Sequence, residues 1–334
     1  FLMEKNICNR ILLTAIGSVS SKVVCENIRK TGDVRIYGCD IYPEVYLSQA
    51  PWFDVFYQVP KVSEHEAYWA CIKKICLENK IDVVVPLIDV EVDFLNQHRN
   101  WFKEKEIILA MTGSESVLLA RDKKEMMDFV DEQCLKGIKT IPTYYINSKT
   151  EANTIQFPVV CKPVDGRSSQ GLRIIETKEE LLAMWTVLSR QKYVVEPFIC
   201  GNRIVVDVLR NAIYNECVAV ARKELISTPH GCGLSVYVYR DVVLEHACME
   251  LAEKMYVNGC VNYEFLQDEK GDYYFLECNP RFSAGVVFSA MAGYDFVCNH
   301  LRCFRQEHID DFGGIKEQYI ARNYVEYVTG VKDE

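Results

Sequence analysis

The segment FLECNPR, residues 275–281, sets Glu277, Asn279 and Arg281 two positions apart. Along an extended chain successive side chains point to opposite faces, so an acid, an amide and a guanidinium would project together. Phe275 would share their side, with Leu276 and Cys278 on the other. The plain alternative is a solvated edge strand with an internal Glu277–Arg281 pair. Upstream lies VNYEFL (261–266), and the DEKG stretch at 268–271 reads as a turn that folds the two segments into an antiparallel pair. That pairing puts Glu264 opposite or diagonal to Glu277, roughly 5 to 8 Å away. Two carboxylates so close repel each other unless a cation lies between them. With the amide oxygen of Asn279, three oxygen donors converge without His or Cys. Such a set suits magnesium, which takes its remaining oxygens from water and substrate phosphates. Arg281 adds a fork of donors for phosphate or for an anionic intermediate.

A phosphate end is readable elsewhere. Lys162 closes the apolar run FPVVCK, where it either meets an anion or snorkels to solvent. The loop that follows, GRSSQG from Gly166 to Gly171, includes Ser168 and Ser169, and its backbone N–H groups can form an anion-binding nest. Beyond it, YVVEPFI (193–199) offers Glu196 to an adenine amino group and the backbone of Phe198 and Ile199 to the ring edge.

The elements that must position these residues follow from periodicity. From NRILLTAIG (9–17) to IILAMTG (107–113), apolar strands alternate with helical stretches, which implies βαβ units and a small doubly wound parallel domain over residues 1–112. A dinucleotide-binding oxidoreductase, with Asp40 as ribose acid, is the tempting alternative, but the first loop carries Gly17 alone of the three glycines that chemistry needs. Residues 113–195 read as a small α+β lid. Residues 196–334 read as a strand-rich domain that ends in helical stretches and carries the acid–amide–guanidinium face.

At 334 residues, 49% hydrophobic and 25% charged, the chain has the composition of a folded protein of two or three domains. Its net charge of −9 opposes binding to nucleic acid or an anionic membrane, which needs clustered Lys and Arg, so neither partner is expected. The 15 cysteines are scattered, form no CxxC pair, and mostly sit in apolar runs as packing residues of a reducing compartment. No signal-like apolar core and no apolar run of about 18 residues is present, so the expected location is cytoplasmic.

Taken in order, ILLTAIGS, DVVVPLIDVEVDFL, RDKKEMMDF, FPVVCKPVDGRSSQG, YVVEPFICG and VNYEFL…FLECNPR resemble the ATP-grasp proteins, in the branch of carbamoyl-phosphate synthase halves, biotin carboxylase and small carboxylate–amine ligases. The resemblance covers nearly the whole chain. It implies an ATP-grasp fold, α/β and α+β, behind a Rossmann-like first domain. It also implies ATP between lid and C-terminal domain, with Lys123 and Lys162 as the ATP lysines and Glu196 to Ile199 as the adenine hinge. Glu264, Glu277 and Asn279 would hold two magnesium ions, with manganese as a substitute, and Arg281 would stand at the transferred phosphate. Such enzymes phosphorylate a carboxylate and let an amine displace the phosphate, releasing ADP. Small-molecule acid and amine substrates, and a homodimer as in many relatives, are the expected partners.

The chain departs from the family pattern in places. Ser168 stands where a glycine is usual, and GNRIVVD carries Arg203 where many members have glutamate before the acid that is Asp207 here, itself expected among the ATP contacts. That departure is expected to leave the metal site untouched. The long C-terminal extensions of the carboxylases are absent, which disfavours bicarbonate phosphorylation of the carbamoyl-phosphate kind. Arg222 and His230 in ARKELISTPHGCG are candidates for substrate contact. Asp89 and Glu91 are expected to be structural, and the GSVSS loop (17–21) is a candidate for the carboxylate substrate. A non-catalytic ATP sensor or partner subunit is the second hypothesis.

Overall fold

In the computed structural model, which describes residues 9–145, 153–164, 166, 171–188, 193–229 and 231–331, the chain begins as a parallel α/β layer. In order come β1 (Arg10–Thr14), α1 (Ser21–Arg29), β2 (Arg35–Asp40), β3 (Val55–Gln58), α2 (His65–Glu78), β4 (Val83–Val85), α3 (Asp89–Asn96), α4 (Arg99–Glu104) and β5 (Ile108–Leu109). All these strands pair in parallel in the order β3-β2-β1-β4-β5. Helices on both faces explain why these strands are apolar without alternation. Ile11, Leu13, Val83 and Val85 feed one core with α1, while Leu12, Val84 and Tyr37 feed the other with Tyr68 and Ile72 of α2. The edge strand β3 is the short, half-buried VFYQ, and the helical stretch between β4 and β5 is broken into α3 and α4 at Gln97–His98.

Next come α5 (Ser114–Arg121), α6 (Lys123–Glu132) and β6 (Ile138–Lys139). Between the two helices Asp122 is extended, and its side chain caps α6 by accepting from the N–H groups of Lys124 and Glu125. This stretch was expected to open the lid. Instead Met126, Met127, Val130, Leu135 and Ile141 lie in one core with Tyr263, Phe265 and Phe275 of the C-terminal domain.

The lid follows as β7 (Tyr144–Tyr145), β8 (Val159–Pro163), β9 (Arg173–Ile175), α7 (Lys178–Ala183), α8 (Trp185–Leu188) and β10 (Tyr193–Pro197), with sheet order β7-β10-β8-β9. Its core is small: Val159, Cys161, Ile175, Leu181, Leu188 and Val195. So few buried side chains suit a segment that moves.

The remainder is β11 (Asn202–Asn211), β12 (Glu216–Ser227), β13 (Gly233–Tyr239), α9 (Val242–Lys254), β14 (Gly259–Gln267), β15 (Tyr273–Asn279), α10 (Val286–Ala292), α11 (Phe296–Arg305) and β16 (Gln318–Ala321). The sheet runs β16-β13-β12-β11-β14-β15-β6, so a residue stretch from before the lid closes its edge, in parallel with β15. The chain returns to the sheet at β16, where a helix was expected. One face of the sheet buries α9, through Leu244, Cys248 and Leu251. The other buries α10 and α11, whose Phe288, Phe296 and Leu301 share a core with β1 and α1.

Candidate active site

The hairpin of β14 and β15 forms as the sequence predicts. Asp268 Oδ1 accepts from the N–H groups of Lys270 and Asp272, and Gly271 takes φ +86, closing the turn. Across the pair Asn262 faces Asn279 and Glu264 faces Glu277, with a bulge before the next pair, Phe265 and Phe275. The bulge corrects the expected face. One extra residue, Leu276, shifts the parity, so Phe275 joins Tyr263 and Cys278 in the core and does not stand beside Glu277.

Asn279 Nδ2 donates to Glu264 Oε1 at 3.2 Å and to Asn262 Oδ1 at 3.3 Å, and its Oδ1 accepts from Arg281 Nη2 at 3.3 Å. The second oxygen of Glu264 is buried without a hydrogen bond, although Arg203 Nε lies 3.1 Å away as an ion-pair partner. Burial pushes the Glu264 carboxyl up, Arg203 opposes this, and Glu277 adds to it. Arg203 therefore does touch the carboxylate pair, against the expectation that its departure would spare the metal site. Among the described residues no three His, Cys, Asp or Glu side chains gather as a metal cage. Two carboxylates and an amide with an orphaned oxygen still fit an ion that completes its shell from phosphates and water.

Arg281 is held from outside its own strand. Its Nη2 donates to Asp89 Oδ2 at 2.7 Å, and Asp89 Oδ1 accepts from Arg121 at 3.0 Å. Asp89 is the first residue of α3, so the first domain reaches into the site through an acid whose expected role was structural. Glu91, two residues on, is structural as expected: it accepts from Tyr68 and Thr14, and burial pushes its carboxyl up to about 7.

On the other side of Glu277, Lys123, Lys162, Gly166, Arg203 and Leu276 line with it a cavity of about 80 Å³. The Lys123 ammonium donates to the Gly166 carbonyl, and burial lowers its pKa. Lys162 is paired with Glu196 at 2.7 Å, and Thr143 donates to the other oxygen of Glu196 at 3.0 Å. Glu196 thus anchors the lysine, where a contact with an adenine amino group was expected. The Phe198 N–H is taken by the Pro158 carbonyl, and Ile199 packs against the C-terminal core. Gly171 opens the segment that leads to β9, whereas Ser168, Ser169 and His230 lie outside the described residues.

One further expectation is corrected. Asp207 is fully buried, and its Oδ2 accepts from Arg222 at 2.7 Å and Ser289 at 2.6 Å, so its carboxylate orders the protein and not ATP. Arg222 also donates to Glu224 at 3.1 Å and Ser283 at 3.0 Å. It nevertheless lines the second cavity of the site, about 170 Å³, together with Glu264, Glu277, Asn279 and Arg281. The sequence signal for these partners was thin, because Asp207, Arg222 and Ser289 meet only through sheet register and a helix laid across it. A third cavity, about 1060 Å³, opens in the first domain near the ends of β1 and β4, between Gly17, Asp40, Leu47, Glu91 and Phe94. The side chains of Ile88 and Val90, on either side of Asp89, form part of its wall.

Comparison with known proteins agrees with this arrangement. Residues 189–326 match a family described as "ATP-grasp in the biosynthetic pathway with Ter operon", and residues 11–110 match a PylC-like N-terminal domain. The large chain of carbamoyl phosphate synthase from Clostridium perfringens is 25% identical over 64% of this chain and 21% of that protein. D-alanine–D-alanine ligase from Francisella philomiragia is 30% identical over 42% of this chain and 50% of the ligase. The chain thus spans about a fifth and a half of their lengths. In structure, biotin carboxylase from Campylobacter jejuni superposes with a TM-score of 0.76 over 92% of this chain and 74% of that one, at 18% identity, a likeness of fold. With the two domain matches and the shared fold, the chain carries an ATP-grasp domain over residues 189–326 behind a PylC-like N-terminal domain over residues 11–110.

Proposed function

We propose that the protein is an ATP-dependent carboxylate–amine ligase that works through an acyl phosphate and releases ADP and phosphate. The observation that carries this reading is the direct opposition of Glu264 and Glu277 beside Asn279 and Arg281, next to a cavity holding Lys123 and Lys162. ATP would lie between lid and C-terminal domain, its phosphates against the two lysines and the loop after β8. Glu277, Asn279 and Glu264 would hold magnesium, which when bound withdraws charge from the phosphate oxygens. The resemblance implies two ions, replaceable by manganese; the donor set supports at least one.

The substrate carboxylate would enter the cavity lined by Arg281 and Arg222. Its oxygen attacks the terminal phosphorus, and the bond to the ADP oxygen breaks with its electron pair left on ADP. Arg281, steadied by Asp89, then faces the acyl phosphate with its remaining donors. An amine attacks the acyl carbon, phosphate leaves with the C–O pair, and the amine's proton passes to solvent. Positioning and charge neutralisation suffice for such chemistry, and no protein nucleophile is needed. Burial pushes thiols such as Cys161 up to about 11, which suits packing better than attack. The lid would exclude water that hydrolyses the intermediate. The large cavity of the first domain, whose wall flanks Asp89, is the natural place for the body of an organic substrate.

The test is ADP release with magnesium and ATP across a matrix of carboxylates and amines, with Glu277→Gln as the blank. Release that depends on one acid plus one amine is expected. ATP binding without any stimulation by acid or amine would favour the sensor or partner-subunit alternative.

A further inference from the structure

Arg203 is the second residue of β11, beside the strand that carries Glu264. Its guanidinium stands 3.1 Å from Glu264 Oε2, on the oxygen that lacks a hydrogen bond. Room for it is kept by Gly231: at φ +82 this residue turns as glycine readily does, and a Cβ there would overlap Arg203 Nη1. Among the described residues, only Arg203 and Glu277 line both the lysine cavity and the Arg281 cavity. Those two residues therefore mark the junction that a phosphoryl group crosses on its way from ATP to the acid. Among the described residues no hydrogen bond holds the terminal nitrogens of Arg203, whose Nη1 packs against Gly231 in a residue that borders both cavities.

A carboxylate that holds one ion on each oxygen needs both oxygens open, at about 2.1 Å for magnesium. Here one oxygen of Glu264 accepts from Asn279 and the other faces a fixed positive charge. An ion placed against that oxygen would lie a few ångströms from the guanidinium and be repelled. We propose that Arg203 replaces the second metal ion: the site binds a single divalent ion with nucleotide, and the guanidinium contacts the phosphoryl group during transfer. This rests on the magnesium–ATP reading of the site. The reaction keeps its balance, since the P–O bond to ADP breaks, the P–O bond to the carboxylate forms, and Arg203 neither gains nor loses a proton.

The test counts manganese ions bound per chain in the presence of a non-hydrolysable ATP analogue, from the free-ion signal in electron paramagnetic resonance. The full chain is compared with Arg203→Lys and Arg203→Glu, each checked for an unchanged unfolding midpoint. One ion is expected for wild type and Arg203→Lys, and two for Arg203→Glu. Two ions in wild type would overturn the inference and leave the magnesium–ATP reading standing, as would one ion in all three proteins. No ion in any of them would overturn both. If Arg203→Glu does not fold, Arg203→Gln serves in kinetics: ADP release should fall about 100-fold with the Kd of the analogue within threefold, as expected for loss of a donor at the transition state. Unchanged release would contradict the proposal.

Discussion

Glu264 and Glu277 are neighbours only because a four-residue turn and one bulge set the register of two strands, yet their chemistry dominates the site. Glu277→Gln keeps the size of the side chain and removes its charge; ADP release should fall about 100-fold or more, with an unchanged circular dichroism spectrum. Full activity in that protein would remove the metal assignment. At the same scale, Asp207 orders the interior through Arg222 and Ser289. Arg222 is nearly fully buried, so Asp207→Ala leaves a buried guanidinium short of one carboxylate and should cost about 3 kcal/mol in urea unfolding at constant slope. A loss of ATP affinity with unchanged stability would restore Asp207 to the nucleotide. The spacing of Glu277, Asn279 and Arg281 was legible because a strand has period two. The Asp207–Arg222 and Arg203–Glu264 pairs were not, since each joins strands whose register no local residue announces.

At the scale of elements, small devices decide where side chains land. Leu276 is an extra residue in β15, and without it Phe275 would stand among the carboxylates. Asp122, extended between α5 and α6, places Lys123 at the start of α6, against the cavity that Lys162 also lines. His300 of α11 ties two domains together: its Nδ1 accepts from the Cys260 N–H at 2.8 Å, and its Nε2 donates to the Ala110 carbonyl at 3.1 Å. Only a neutral ring can accept on one nitrogen and donate on the other, and burial lowers its pKa to about 4. An unfolded histidine titrates near 6.5, so the unfolded chain binds a proton that the folded one refuses. The contribution of His300 is therefore complete above about pH 6.5 and is lost as pH falls toward 4, by about 3 kcal/mol. The stability difference between wild type and His300→Gln should shrink by that amount from pH 7 to pH 4, which unfolding curves at each pH would show. Parallel pH profiles would contradict it.

For the whole molecule, the parallel α/β layer at the start and the strand-rich sheet at the end were readable from periodicity. The assignment of 113–141 was not, because the contacts that decide it are with residues over a hundred positions away. The first domain also contributes more than support. Asp89 joins α3 to Arg281, and Asp89→Asn should lower ADP release at least about tenfold while ATP-analogue binding holds, the mark of a positioning residue. Equal losses in binding and turnover would assign Asp89 to overall stability instead. The central claim, that a carboxylate is phosphorylated between the lysine and arginine cavities, is tested most directly by isotope transfer. With the acid labelled by ¹⁸O in its carboxylate, phosphate released in the complete reaction should carry one ¹⁸O for each ADP formed. ADP accompanied by unlabelled phosphate would show that no acyl phosphate forms.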